Sequence, residues 1–239
     1  MTLLAFFSIT NAACGVMSFK EVKAVKEPIV MEKRENNPRL TIEEMRALLQ
    51  QSLKPKRYEH SVRVYETALK MAEHYHADKQ KIALAALLHD CGRQIPKEAS
   101  VEKAKELGIP VDPVEAAQPI LLHAKLGVYY AIHKYGVSPD DREVLDAIRY
   151  HSTGAADMTE TAKIVFLADL IEPGRDFEGV EEIREASFTD LDRGMFLSYE
   201  NTIRYLLDDG MLIHPDAIAG YNQLAARYQK EKIKEKKRK

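Results

Sequence analysis

The chain has 239 residues, enough for one domain with appendages, and its 45% hydrophobic and 30% charged content is that of a globular protein. A net charge of −2 argues against a global field for nucleic acid or an anionic membrane. Two cysteines, Cys14 and Cys91, are too few for a disulfide framework and are consistent with a reducing compartment.

The N-terminal MTLLAFFSITNAACGVMSF is apolar, but no Lys or Arg precedes its hydrophobic part as in a signal peptide. It is also short and interrupted for a membrane span. In NAAC, Asn11 stands where a lipoprotein cleavage site usually has a large aliphatic residue. The expectation is a poorly ordered leader or extension over 1–39, with Met17 and Met31 as alternative starts, before a cytoplasmic domain over 40–229.

From residue 40 the pattern is helical almost throughout. Thr41 and Glu44 make a capping box that opens TIEEMRALLQQSL. Pro55 separates it from a long helix over about 56–76, where His60, Val64, Ala68 and Ala72 share an i, i+4 stripe. A third helix covers 79–90 ahead of the helix-ending Gly92, and VEKAKELG makes a fourth, stopped by Gly108. PVEAAQP at 113–119 is a loop between prolines or a short helix. A helix over about 119–135 ends before Gly136. In SPDD, Ser138 reads as an N-cap, Pro139 as first-turn and the acids as dipole partners of a helix running to Tyr150. Further helices cover about 159–171, stopped by Pro173 and Gly174, then 189–208 and 215–230. Few windows alternate with period two, so the expected architecture is a single all-α domain, a compact helical bundle. The basic stretch KEKIKEKKRK at 230–239 reads as a solvated, fraying helix end.

The chemistry gathers around ALAALLHDCGR at 83–93. Ala83 to Leu88 have no polar face, and His89 and Asp90 follow at once. A carboxylate against a core costs several kcal/mol unless a cation or donors meet it, so the pair either caps a helix at the surface or holds a metal. Of eight histidines, His74 and His76 sit in the polar EHYHADK and read as surface residues, and His133 suits the helix C-terminus it lies near. His60, His89, His123 and His151 fall on four separate helices at core-facing edges, the third of them one turn before Gly127. Each alone reads as a hydrogen-bonded core histidine. Asp169 tips the balance, because Val165, Phe166, Leu167, Ala168, Leu170 and Ile171 surround it. Two carboxylates with four imidazoles suit iron, manganese, cobalt or zinc, and the cysteine count excludes a thiolate-bound structural zinc. A metal explains all six residues together.

The order His60, His89-Asp90, His123, His151, Asp169 resembles the HD-domain superfamily of metal-dependent phosphohydrolases. More closely, YEHSVRVYETALKMAE, AALLHDCGR, LLHAKLGVYY, DAIRYHSTG, KIVFLADLIEPGR and IHPDAIAGYNQLA resemble the bacterial YqeK family, from about residue 40 to 228. The resemblance implies an all-helical, iron-binding, often dimeric enzyme that hydrolyses diadenosine tetraphosphate (Ap4A) symmetrically to two ADP. It departs from the family in its leader and in Cys91-Gly92-Arg93, where the family usually has Tyr-Ala-Lys. Arg93 keeps the positive charge and gains a bidentate fork for phosphate. Cys91 is either an oxidation-sensitive neighbour of a redox-active metal or a small core filler.

On this resemblance His60, His89, Asp90 and Asp169 hold a first metal, iron before manganese or cobalt. Asp90 bridges to a second ion held by His123 and His151, or, with one ion, those histidines contact phosphate as donors or acid catalysts. The catalytic set is Asp90, His123, His151 and Arg93. Arg93 and Arg175 meet transition-state charge, Arg175 reading otherwise as an exposed loop residue. Ser152 and Thr153 either add contacts or form a plain turn, and Cys91 and Gly92 lie along the phosphate site. Leu212, Ile213, His214, Pro215, Asp216 and Ala217 match the family segment that contacts the nucleoside. Tyr129, Tyr130 and Tyr150 stack on adenine or pack in the core, and Lys125 and Lys163 are weaker electrostatic candidates. The expected partners are a dinucleoside polyphosphate, its ADP product and a second copy, with neither nucleic acid nor membrane. Two rivals remain: an HD phosphohydrolase of another nucleotide, and a non-catalytic regulatory module that binds ADP. The absence of a Gly-Tyr-Pro signature argues against cyclic-di-GMP as that other nucleotide.

Overall fold

The helices begin where side chains meet the first unpaired amides. Thr41 and Glu44 close the expected capping box on α1 (Ile42–Ser52). Pro55 opens α2 (Pro55–His74), whose stripe His60, Val64, Ala68 and Ala72 is buried. Asp78 caps α3 (Lys79–Leu88) through the amides of Gln80 and Lys81. These elements belong to a computed structural model that describes residues 40–236, with side chains through 229. The leader expected over 1–39 and the last three residues of the chain lie outside the described residues.

Several boundaries differ from expectation, each for a local reason. The third helix stops at Leu88 with His89 as its C-cap, and Asp90 leads into a 3-10 turn, Cys91–Gln94. Gly92 therefore is not a helix stop. A Cβ there would lie 2.1 Å from the His123 carbonyl oxygen and 2.6 Å from the Gly127 amide nitrogen, so the glycine lets this turn lie flat on the next helix layer. α4 (Lys97–Glu106) starts before VEKAKELG, with Pro96 as N-cap. α5 (Pro113–Ala117) is a short helix with its own capping box, Asp112 and Glu115. The helix expected over 119–135 divides into a 3-10 turn, Pro119–Leu121, and α6 (Leu122–His133). Ser138 is not an N-cap: the chain makes one more turn, with the Asp141 amide on the Ser138 carbonyl at 3.0 Å, and Asp141 precedes α7 (Arg142–Tyr150).

Thr159 caps α8 (Glu160–Ile171). α9 (Val180–Thr189) is unforeseen, since no side chain caps it and it follows a Pro/Gly-containing stretch whose Gly179 is left-handed at φ +89°. Asp190 caps α10 (Leu191–Asp208), and α11 (Pro215–Lys236) carries the helix through most of the basic stretch. The result is all-α among the described residues, as the patterning implies. No described helix is long and apolar enough to cross a membrane.

α3 and α8 are apolar on nearly every side, with Ile82 to Leu88 and most of Thr161 to Ile171 buried, so both must be covered all round. α2 and α7 pack against both, and α9 and α10 add to the cover of α8. Met45, Leu49, Met71, Leu84, Leu87, Ile148 and Leu167 are among the side chains that fill the shared core. Polar side chains at the ends of these two helices are consequently carried to the core's edge.

The close approach at Gly92 gives a test. Gly92→Ala drives a Cβ into backbone atoms that cannot rotate away, and should cost about 3 kcal/mol in urea unfolding. Gly108→Ala meets nothing within 4 Å and pays only for its φ of +67°, about 1–2 kcal/mol. Equal losses at the two sites would show that the turn does not depend on this contact.

Candidate metal centre

Three helix ends meet at one place. His89 caps the C-terminus of α3, His151 caps that of α7, and Asp169 lies in the last turn of α8. One ligand atom from each of the three falls within 4.8 Å of the others. Helix C-termini carry partial negative charge and unpaired carbonyls, so their convergence favours a cation. His60 from α2 and His123 from the start of α6 close the group. All six residues expected of a metal site are thus brought together. His60, His89, Asp90, His123 and His151 are at most 6% exposed, and the Asp169 side chain is 17% exposed.

The backbone sets how the imidazoles point. Nδ1 of His89 donates to the Ala86 carbonyl at 2.7 Å, His123 to Ile120 at 2.5 Å and His151 to Ile148 at 2.8 Å. Each acceptor lies three residues earlier, and a carbonyl only accepts, so each Nδ1 carries the hydrogen and each Nε2 presents its lone pair. On His60 the Nδ1 partner is the Glu172 carboxylate, at 3.0 Å. Glu172 is itself buried and held by Arg63 Nε and the Gly174 amide, both at 2.6 Å. Burial pushes the Glu172 carboxyl up, but Arg63, the Gly174 amide and His60 outweigh it and bring it to about 2.

The inward nitrogens then lack donors. Nε2 of His60 and of His89 are buried with no hydrogen-bond partner, although Nε2 of His60 is 3.0 Å from Asp169 Oδ1. Asp90 lies between two halves of the cluster. Its Oδ2 is 4.0 Å from His60 Nε2 and 3.7 Å from His89 Nε2, while its Oδ1 is 3.3 Å from His123 Nε2 and 3.6 Å from His151 Nε2. His123 and His151 face each other Nε2 to Nε2 at 2.9 Å, and Ser152 Oγ is 2.9 and 3.2 Å from the pair. Two imidazole lone pairs at that distance require a proton or a metal between them. The donor set, two carboxylates and four imidazoles with orphaned buried nitrogens, fits a divalent ion.

Charge states agree with that fit. Burial lowers His89 to about 4, so it stays a neutral ligand at physiological pH. His123 is likewise held well below the usual histidine range, by burial and by Arg93. Burial pushes the Asp90 carboxyl up, but His89, His151, His123 and Arg93 more than offset this and keep it ionised. Asp169 is ionised for the same kind of reason, through His60, His89 and Arg175.

Arginines border the centre. Arg93 Nε donates to Asp90 Oδ1 at 2.5 Å, and Arg175 bonds both the Asp169 carboxylate and, at 2.7 Å, the Asp169 carbonyl. Both are partly exposed, so each guanidinium also reaches solvent. Arg57, which sequence reasoning did not single out, donates to Asp90 Oδ2 at 2.9 Å. Its signal was its position three residues before His60 on the same helix face. Glu172 and Arg63 were also missed, because neither their burial nor their link to His60 across more than 100 residues is visible in local pattern.

Other expected residues are elsewhere. The Cys91 thiol is fully buried and donates to the Gly127 carbonyl at 3.3 Å, the core-filler reading of this residue, and burial pushes its pKa up. Thr153 turns its hydroxyl onto the Gly154 carbonyl. Lys163 pairs with Asp192, and Lys125 with Glu115 at 2.5 Å, so the charge of both lysines is already matched. Tyr129 packs on His133 and Tyr130, and Tyr150 lies under Arg149. In the 212–217 segment, His214 is buried and bonds Asp112 at 3.0 Å and the Asp216 amide rather than the six clustered side chains. Leu212 is half exposed, Pro215 opens α11, and Ala217 is buried.

Comparison with known proteins shows the family. The HD domain model matches residues 57–174. A symmetrical bis(5'-nucleosyl)-tetraphosphatase of Halalkalibacterium halodurans is 41% identical over 177 residues, 74% of this chain and 93% of that one. The Bacillus subtilis protein of the same description is 37% identical, over 77% of this chain and 97% of its own. A crystal structure from Clostridium acetobutylicum, of a predicted HD superfamily hydrolase involved in NAD metabolism, superposes with a TM-score of 0.75 at 34% identity, covering 80% of this chain and all of that one. This chain belongs to the HD-domain family that includes the symmetrical bis(5'-nucleosyl)-tetraphosphatases of these bacteria.

Proposed function

We propose that this protein hydrolyses diadenosine tetraphosphate at its centre, giving two ADP, with a metal held by His60, His89, Asp90 and Asp169. The observation that carries the reading is the pair of buried, donorless Nε2 atoms of His60 and His89 beside two ionised carboxylates. Two histidines with two carboxylates suit iron, and manganese or cobalt by the same donors. The names of the relatives supply the substrate class.

A bound metal supplies Lewis acidity and lowers the pKa of a coordinated water to about 7. Around it the chain's own groups have defined tasks. Glu172 holds the His60 ring so that Nε2 faces inward. Arg93 and Arg175, anchored on Asp90 and Asp169, turn their exposed sides to the phosphate oxygens and take up charge as it develops. His123 and His151, 2.9 Å apart at their Nε2 atoms, would help hold a second ion if one binds, and otherwise would place a proton for the leaving phosphate oxygen. Ser152 Oγ contacts both rings. Cys91 and Gly92 act through the backbone that turns Asp90 and Arg93 toward the substrate. Leu212, Ile213, His214, Pro215, Asp216 and Ala217 are assigned to one nucleoside on the family resemblance, with Asp112 fixing the His214 ring. A cytoplasmic homodimer belongs to the same reading.

The test is product analysis on protein purified without oxygen and supplied with Fe²⁺. Ap4A should yield ADP alone, and Asp90→Ala should lose turnover by at least about a thousandfold, since it removes the carboxylate shared by both halves of the site. AMP with ATP, or undiminished turnover in the variant, would contradict the proposal.

The same burial makes the metal-free protein acid-sensitive. His89 protonates near pH 6.5 when unfolded but at about 4 when folded, so the unfolded chain binds more protons between those values. Its contribution is complete above pH 6.5 and declines as pH falls toward 4. Between pH 7.5 and pH 5 the metal-free protein should lose about 2 kcal/mol in urea unfolding through this residue. His89→Gln should reduce that dependence while His123, likewise held low by burial, keeps its own share, and an unchanged slope would show that His89 is not a titrating group.

A further inference from the structure

Cleavage in the middle of a tetraphosphate leaves two identical nucleoside diphosphates, yet this centre is asymmetric. Two unlike surfaces must therefore hold two like halves. The segment 212–217, assigned above to one nucleoside on the family resemblance, would take one of them. Resting on the function proposed above, we propose that the other half, a nucleoside 5'-diphosphate portion, lies in a cavity of about 490 Å³ that opens from Arg57, Arg93 and His123, with Lys54 and Lys97 on its phosphates and Ile120 against its base.

Three features carry this. The cavity adjoins the centre directly, because Arg57 and Arg93 bond Asp90 and His123 Nε2 lies 3.3 Å from it. Each arginine reaches Asp90 through a single nitrogen, and a guanidinium has five N–H donors, so the rest of each fork is available to a second anion.

The second feature is charge. Lys54 just before α2, Arg57 on α2, Arg93 in the 3-10 turn and Lys97 at the start of α4 come from three different elements and line one cavity. The acidic side chain lining it is Glu98, whose approach to Lys97 is 3.9 Å with both side chains well exposed, a pairing of little strength. Such a surplus of cations suits a polyanion.

The third is shape and character. The volume falls within the range of small-molecule sites. Prolines and isoleucines form its apolar wall, and Ile120 is 45% exposed there. An inorganic anion has no use for such a wall, whereas a nucleoside does. The lining is also braced: Lys134 bonds Ser52 Oγ at 2.7 Å and Gln94 Oε1 at 2.9 Å, tying the end of α1 to the 3-10 turn. A braced site loses less entropy when it is filled.

The experiment compares the metal-loaded wild-type chain with Lys54→Ala/Lys97→Ala and, separately, Ile120→Asp, all exposed positions, with thermal midpoints confirming the fold. ADP is titrated calorimetrically and Ap4A turnover is measured. Wild type should take up two ADP per chain and each variant one. The double variant should raise KM for Ap4A about tenfold with kcat within twofold, the effect of losing two partly exposed ionic contacts. Variants that match wild type in both ADP count and KM overturn the proposal. If wild type leaves Ap4A intact, the proposed reaction falls and the ADP counts alone decide: two falling to one upholds the cavity as a nucleotide site, and an unchanged count overturns it.

Discussion

Four imidazole lone pairs point into one small volume, and much of the structure is arranged to make them do so. Each Nδ1 is committed to a fixed acceptor, and the Nε2 atoms are left to face one another and two carboxylates. Without a cation this is a poor arrangement, since buried acceptors lacking donors cost about 1–3 kcal/mol each. With one it becomes a preorganised ligand set, and the ion's affinity stabilises the fold that assembled it. The cluster at Asp112, Glu115 and His214 is the useful contrast. It too brings its ligand atoms within 4.8 Å, but Lys125 and Arg149 already sit against its carboxylates.

The bundle supplies that geometry economically. α3 and α8 are apolar enough to be buried on nearly every side, so the polar residues at their ends are delivered to the edge of the core without a loop to order. The histidines at the ends of α3 and α7 satisfy carbonyls that a helix end would otherwise leave open, so capping and the aiming of Nε2 are one interaction. Gly92 allows the 3-10 turn after Asp90 to rest on α6, which fixes Arg93 beside the carboxylate it serves.

What the sequence made legible follows from what is local. The capping box at Thr41, the stripe through His60 and the apolar run before His89 are short-range patterns, and they are realised as expected. The six-residue cluster was legible because charged and imidazole groups in apolar surroundings each demand an explanation, and a metal site answers for all of them. Glu172 was not, because its meaning lies in contacts with Arg63 and His60 more than 100 residues away. Nor was α9, whose start relies on a left-handed glycine instead of a capping side chain. Ser138 shows the opposite failure: a strong start signal was used for a turn, and the helix began three residues later.

The most direct measurement is anomalous scattering from crystals of the metal-loaded protein, collected on both sides of the absorption edge of iron. A peak is expected among Nε2 of His60, Nε2 of His89 and the carboxylates of Asp90 and Asp169, with the four Nδ1 bonds intact. Loaded protein with its metal elsewhere, as at Asp112, Glu115 and His214, would contradict it.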